Sequence, residues 1–152
     1  QTVAETSLQA WDAVLETNLT GTFLANRAVL PCMLRQGRGN IVNLSSTSGR
    51  RGLALDAAYC ASKFAVIGLT ESLADELRPH GVRVQAVLPE VVDTPMLDQN
   101  GPLGRPRDML APERVADFIV HLLGLPDDTL MLNPVVAPFR GRRRSDSPGR
   151  ET

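Results

Sequence analysis

The sequence predicts an α/β fold, a small parallel sheet of about three strands with flanking helices. Three observations carry this expectation. Helical and strand-like segments alternate along the chain, and such alternation implies right-handed crossovers onto a parallel sheet. Ile41–Leu44 is a short apolar run without alternation, which suits a parallel strand covered on both faces. The 152 residues are 43% hydrophobic and 22% charged, ordinary values for one domain with a real core.

The elements follow in order. Ser7 is a good N-cap for a helix through roughly Leu34. Its apolar positions, among them Leu8, Trp11, Leu15, Leu19, Phe23 and Val29, recur at helical spacing. Gln36–Gly39 ends it. The strand Ile41–Leu44 follows, then a Ser-rich loop, then a helix over Ala57–Leu77 closed by Arg78, Pro79 and Gly81. Val82–Leu88 reads as a strand that Pro89 ends. Glu90–Leu110 is a loop, dense in proline and glycine between Gly101 and Pro106. Pro112 opens a helix through about Leu123, with proline in its favoured first turn. Thr129–Val136 is the third strand. The tail over 140–152 is polar and basic, and is expected to be disordered. The first strand would lack a partner on one side, and a long apolar edge is an aggregation hazard.

Composition excludes several classes. A net charge of −1 argues against a nucleic-acid-binding surface. Cys32 and Cys60 suggest neither a disulfide framework nor a metal site. His80 and His121 have no carboxylate or cysteine at ligand spacing, so no metal is expected. No apolar run is long enough to span a bilayer, and the default expectation is a cytoplasmic protein without membrane contact.

The densest chemical signal is Asn40–Lys63, N-I-V-N-L-S-S-T-S-G-R-R-G-L-A-L-D-A-A-Y-C-A-S-K. Tyr59 and Lys63 stand at i and i+4 and share a helix face. A nearby cation favours the phenolate, so Lys63 is expected to lower the pKa of Tyr59. A tyrosine tuned that way can act as a general acid/base. The plain alternatives are a surface Tyr–Lys pair and, for Ser46, a turn-capping serine.

These residues resemble the short-chain dehydrogenase/reductase family in its classical branch, over about Thr6 to Pro138. W-D-A-V-L-E-T-N-L-T-G-T-F resembles the family's helix with the tetrad asparagine, here Asn18. N-I-V-N-L-S-S resembles the strand that ends at the catalytic serine. Tyr59 stands thirteen positions after Ser46, the family's common spacing, which favours Ser46 over Ser45. Y-C-A-S-K matches Y-x-x-x-K. V-R-V-Q-A-V-L-P-E-V-V-D-T-P-M resembles the strand and loop that close over a nicotinamide ring.

The resemblance implies a partial Rossmann-like, doubly wound parallel sheet over 1–139. It implies an oxidoreductase that interconverts an alcohol and a ketone or aldehyde with NADP or NAD. Tyr59 would be the general acid/base, Ser46 would hold the reacting oxygen, and Asn18 would hold a relay water. Lys63 would bind the nicotinamide ribose, Val92 and Thr94 the carboxamide, and Pro89 would border the ring. Helices spanning about 7–34 and 57–77 would pack between subunits.

Two departures stand beside the match. The sequence contains no G-x-x-x-G-x-G or G-x-G-x-x-G turn to receive a pyrophosphate. The resemblance also implies that four strands and their helices are absent. Glu90 occupies a position where the family usually has glycine. The isolated chain is therefore expected to be inactive, and the alternative reading is a non-catalytic remnant that acts as an association module.

Overall fold

A computed structural model of the protein describes residues 1–99 and 108–139. Helices and strands alternate in it as the sequence predicts, except that the first expected helix is split into two α-helices by a π turn, which gives four α-helices and three strands among the described residues. Helix α1 is Leu8–Leu15 and helix α2 is Gly21–Gln36. Strand β1 is Gly39–Leu44, helix α3 is Ala57–Leu77 and strand β2 is Val82–Pro89. Helix α4 is Pro112–Leu123 and strand β3 is Val135–Val136. The sheet is parallel, in the order β1-β2-β3.

Local chemistry sets these boundaries. The Ser7 Oγ accepts from the Ala10 N–H at 3.1 Å and starts α1. One helical run then reaches Gln36, interrupted by a five-residue π turn at Glu16–Thr20. Gly37 ends it at φ 63°, a left-handed cap that glycine adopts without steric cost. Gly81 does the same at φ 70° before β2. A Cβ on Gly81 would lie 2.3 Å from the Gly37 carbonyl oxygen, so Gly81 is required for space as well as for its φ, whereas a Cβ on Gly37 would meet nothing within 4 Å.

The core lies between the sheet and helices α2 and α3. Ile41, Ala74, Leu77, Val82 and Val84 form it, with Leu30, Met33, Leu73 and Leu132 packed against them. Strand β2 is the central strand, and Val84 through Pro89 are buried without alternation, as a parallel strand covered on both faces requires. A polar seam crosses this core. Asn26 Nδ2 donates to Asn43 Oδ1, and Asn43 Nδ2 donates to Thr70 Oγ1, both at 3.0 Å. It ties α2, β1 and α3 at one level, because buried polar groups require partners.

The third strand is much shorter than the expected Thr129–Val136. The N–H groups of Ala86 and Leu88 in β2, and of Glu90 just after it, still donate to the carbonyls of Leu132, Pro134 and Val136. Pro134 has no N–H to return, so regular pairing is confined to Leu88–Val135 and Pro89–Val136. Upstream, the Arg83 guanidinium draws in the carbonyls of Leu125, Pro126 and Thr129. That holds the segment as a turn.

Among the described residues β1 pairs only with β2. No helix there is long and apolar enough to cross a membrane, and no group of three metal-ligating side chains occurs. The glycine- and proline-rich part of the Glu90–Leu110 loop and the basic tail lie outside the described residues.

Candidate active site

The carboxyl edge of the sheet gathers the predicted site residues. Strand β1 ends at Leu44, and the chain turns at once through Thr47–Gly49 onto α3. Ser45 and Ser46 are both buried. The Ser45 Oγ donates to the Lys63 carbonyl at 2.9 Å. The Ser46 Oγ accepts from the Ser48 N–H at 3.1 Å, so it does cap its turn. It also lies within reach of Tyr59 and favours the phenolate. The capping and site roles therefore coexist in one hydroxyl.

Gly49 lets the turn approach α3. A Cβ there would stand 2.7 Å from the Lys63 carbonyl oxygen and 2.8 Å from both Ile67 Cδ1 and Ser45 Oγ. Any side chain would push the Ser46 turn off the helix.

Tyr59 lies in the first turn of α3 and Lys63 one turn later. The Lys63 Nζ sits 5.6 Å from the Tyr59 ring centroid and donates to the Leu44 carbonyl at 2.9 Å. The ammonium thus ties α3 to the end of β1. Asn18 sits in the π turn, a helix irregularity common at functional sites. Its Nδ2 donates to Ser62 Oγ at 3.0 Å, and the Ser62 hydroxyl donates to the Tyr59 carbonyl at 2.7 Å. All four predicted tetrad residues are thereby joined around the start of α3.

Ser62 was not among the predicted site residues, although it stands inside Y-C-A-S-K. It is fully buried.

The expected effect of Lys63 on Tyr59 is not what the structure gives. Burial is the largest influence on the phenol and pushes its pKa up. Ser46 pulls it down, and Asp56 and Cys60 push it up further. Burial also lowers the pKa of Lys63. Desolvation disfavours the charged form of each. At neutral pH the site therefore presents a protonated phenol.

Pro89, Val92 and Thr94 follow the end of β2 on the same sheet edge. Pro89 is buried and pairs with Val136. Val92 bridges Leu110, flanked by bonds from Asp93 N–H to the Leu110 carbonyl and from Leu110 N–H to the Val91 carbonyl. Glu90 donates its N–H to the Val136 carbonyl at 2.8 Å. Leu55, at φ 68°, is the only non-glycine residue with positive φ among the described residues, so the backbone at Glu90 does not call for glycine.

These residues fit one end of a dinucleotide. Lys63 keeps donor capacity beyond the Leu44 carbonyl, and Val92 and Thr94 line the segment after β2. The sequence supplies no Gly-rich turn for the other end.

Comparison with known proteins identifies the family. The family model of the short chain dehydrogenases matches residues 1–102, and the chain belongs to that family. A 3-alpha-(or 20-beta)-hydroxysteroid dehydrogenase of Mycobacterium tuberculosis is 42% identical over 127 residues, 80% of this chain and 48% of the relative. A 3-oxoacyl-(acyl-carrier protein) reductase of Brucella melitensis, solved with bound NAD, matches with TM-score 0.77 and 34% identity. It covers 90% of this chain and 54% of that one. A metagenomic short-chain oxidoreductase solved in complex with NADP matches with TM-score 0.74 and 32% identity, covering 92% and 56%. The chain spans about half the length of the curated relatives it matches.

Tyr59 is the only tyrosine of the sequence, so tyrosinate absorbance reports on it alone. Its titration midpoint is expected above the ordinary value of 10.0, and Ser46→Ala is expected to move it higher. The folded chain then keeps a proton that the unfolded chain has lost. This group's contribution to stability is full below the ordinary value and falls as pH rises through that window. A midpoint at or below the ordinary value would contradict the desolvated site.

Proposed function

We propose that this chain carries the proton-transfer and nicotinamide-facing part of an NAD(P)-dependent oxidoreductase that interconverts an alcohol and a ketone or aldehyde. The observation that supports it is the single desolvated patch in which the Tyr59 phenol stands within reach of Ser46 and lies under the Lys63 ammonium. In reduction, the protonated Tyr59 phenol gives its proton to the carbonyl oxygen, and in oxidation it takes the proton back. The Ser46 hydroxyl holds that oxygen where charge develops. Lys63 holds the ribose hydroxyls and carries the proton onward, and Asn18 holds a water in the relay. Pro89 borders the ring, and Val92 and Thr94 meet the carboxamide. The nicotinamide group, when bound, supplies or accepts the hydride.

A second reading is favoured by the surface of α2. Phe23, Leu24, Val29 and Leu34 are exposed there, as is Phe64 on α3. Apolar helix faces of this kind drive association. On this reading, residues 7–34 and 57–77 make the chain an association module, with or without catalysis.

Two experiments test these readings. The chain alone is expected to show no turnover of NADH or NADPH with carbonyl substrates. A chimera completed with the part of the Mycobacterium tuberculosis relative that lies outside the match is expected to gain turnover, and Tyr59→Phe to lower it by about a hundredfold or more. Turnover that survives Tyr59→Phe would overturn the assigned role. In light scattering the chain is expected to be larger than its 16.4 kDa monomer, and a clean monomer would remove the association reading.

A further inference from the structure

The turn that carries Ser46 is held at both ends, and only one end belongs to the site already described. At its start, Ser45 bonds the Lys63 carbonyl. Beyond its other end stands Arg50, exposed and charged. Its Nη2 donates to the Asn133 carbonyl at 2.7 Å, across 83 positions of sequence. Asn133 lies just before β3, and the neighbouring Leu132 and Pro134 carbonyls accept from β2. The Asn133 side chain is fixed in turn, because its Nδ2 donates to Glu71 Oε1 of α3 at 2.6 Å. The turn packs on α3 and also touches β2. It therefore crosses from the end of β1 to the start of β3 and is pinned at each side.

Within the turn only short local bonds hold the shape. The Gly49 N–H donates to the Ser46 carbonyl at 2.9 Å, and the Arg50 N–H donates to the Thr47 carbonyl at 3.0 Å. A single turn of this type is marginal by itself, since hydrogen-bond geometry in such turns is poor. A charge-assisted bond at its far end is stronger than a neutral one.

We propose that Arg50 is a positioning residue, whose bond to the Asn133 carbonyl, backed by Glu71, holds the Thr47–Gly49 turn so that the Ser46 hydroxyl stays in reach of Tyr59. Arg50 bears on catalysis only if the proposed roles of Ser46 and Tyr59 hold, whereas the readout below needs neither cofactor nor turnover. Asp56, Cys60 and Lys63 are the other titratable groups beside Tyr59, and the variants leave them in place.

The test is the absorbance titration of the single tyrosine in four variants of the full chain, each checked for native circular dichroism. Arg50→Met is expected to shift the Tyr59 midpoint upward, in the direction of Ser46→Ala, because the Ser46 contact that lowers it is loosened. In the Ser46→Ala background Arg50→Met is expected to add no shift. Glu71→Ala is expected to shift the midpoint upward as well, by less. Charge alone gives the opposite sign there, since loss of a nearby anion lowers a phenol pKa. Glu71 is an exposed helix position that accepts alanine, so it carries the test if Arg50→Met does not fold. An unchanged midpoint in Arg50→Met, an additive shift on Ser46→Ala, or a fall in Glu71→Ala would each overturn the proposal.

Discussion

The site depends on the docking of α3 onto the carboxyl end of β1. Beside Lys63 two bonds hold that contact, from the Lys63 ammonium to the Leu44 carbonyl and from the Ser45 hydroxyl to the Lys63 carbonyl. Gly49 permits the close approach. Together they bring Ser46 and Tyr59 into one desolvated patch. The same contact disfavours charge on both Tyr59 and Lys63. A phenol kept protonated at neutral pH suits proton donation to a carbonyl oxygen, which is the role proposed for it.

The rest of the molecule supports this contact from behind. The Asn26–Asn43–Thr70 seam fixes α2, β1 and α3 in one register. Buried polar networks specify a single arrangement when their members are paired. The π turn presents Asn18 to Ser62, and Ser62 bonds the Tyr59 carbonyl. The sheet edge beyond β2 carries Pro89, Val92 and Thr94. The 152 residues contain no Gly-rich turn of the G-x-G-x-x-G type.

Much of this was legible in the sequence, for reasons that can be named. The unalternating apolar run Ile41–Leu44 marked a parallel strand, because burial on both faces removes alternation, and Pro89 marked the end of the strand over Val82–Leu88. Pro79 and Gly81 marked the end of α3 through a missing donor and a left-handed cap. Tyr59, Lys63, Ser46 and Asn18 were found by spacing and resemblance. Less was legible where tertiary contacts decide. The length of β3 turned on the missing N–H of Pro134 and on Arg83 drawing three carbonyls into a turn. The pKa of Tyr59 turned on burial, and i,i+4 spacing carries no information about desolvation. Arg50 and Asn133 are 83 positions apart, so no local pattern joins them.

Lys63 is the only lysine of the sequence, so its side-chain carbon resonances can be followed by NMR without overlap from another lysine. The most direct test of the docked site is the titration of those resonances. A midpoint below the ordinary value of 10.5 is expected, because α3 buries the ammonium against the Leu44 carbonyl. A midpoint at the ordinary value would mean that Lys63 is solvated. It would contradict the docking of α3 on β1 from which the rest of the site follows.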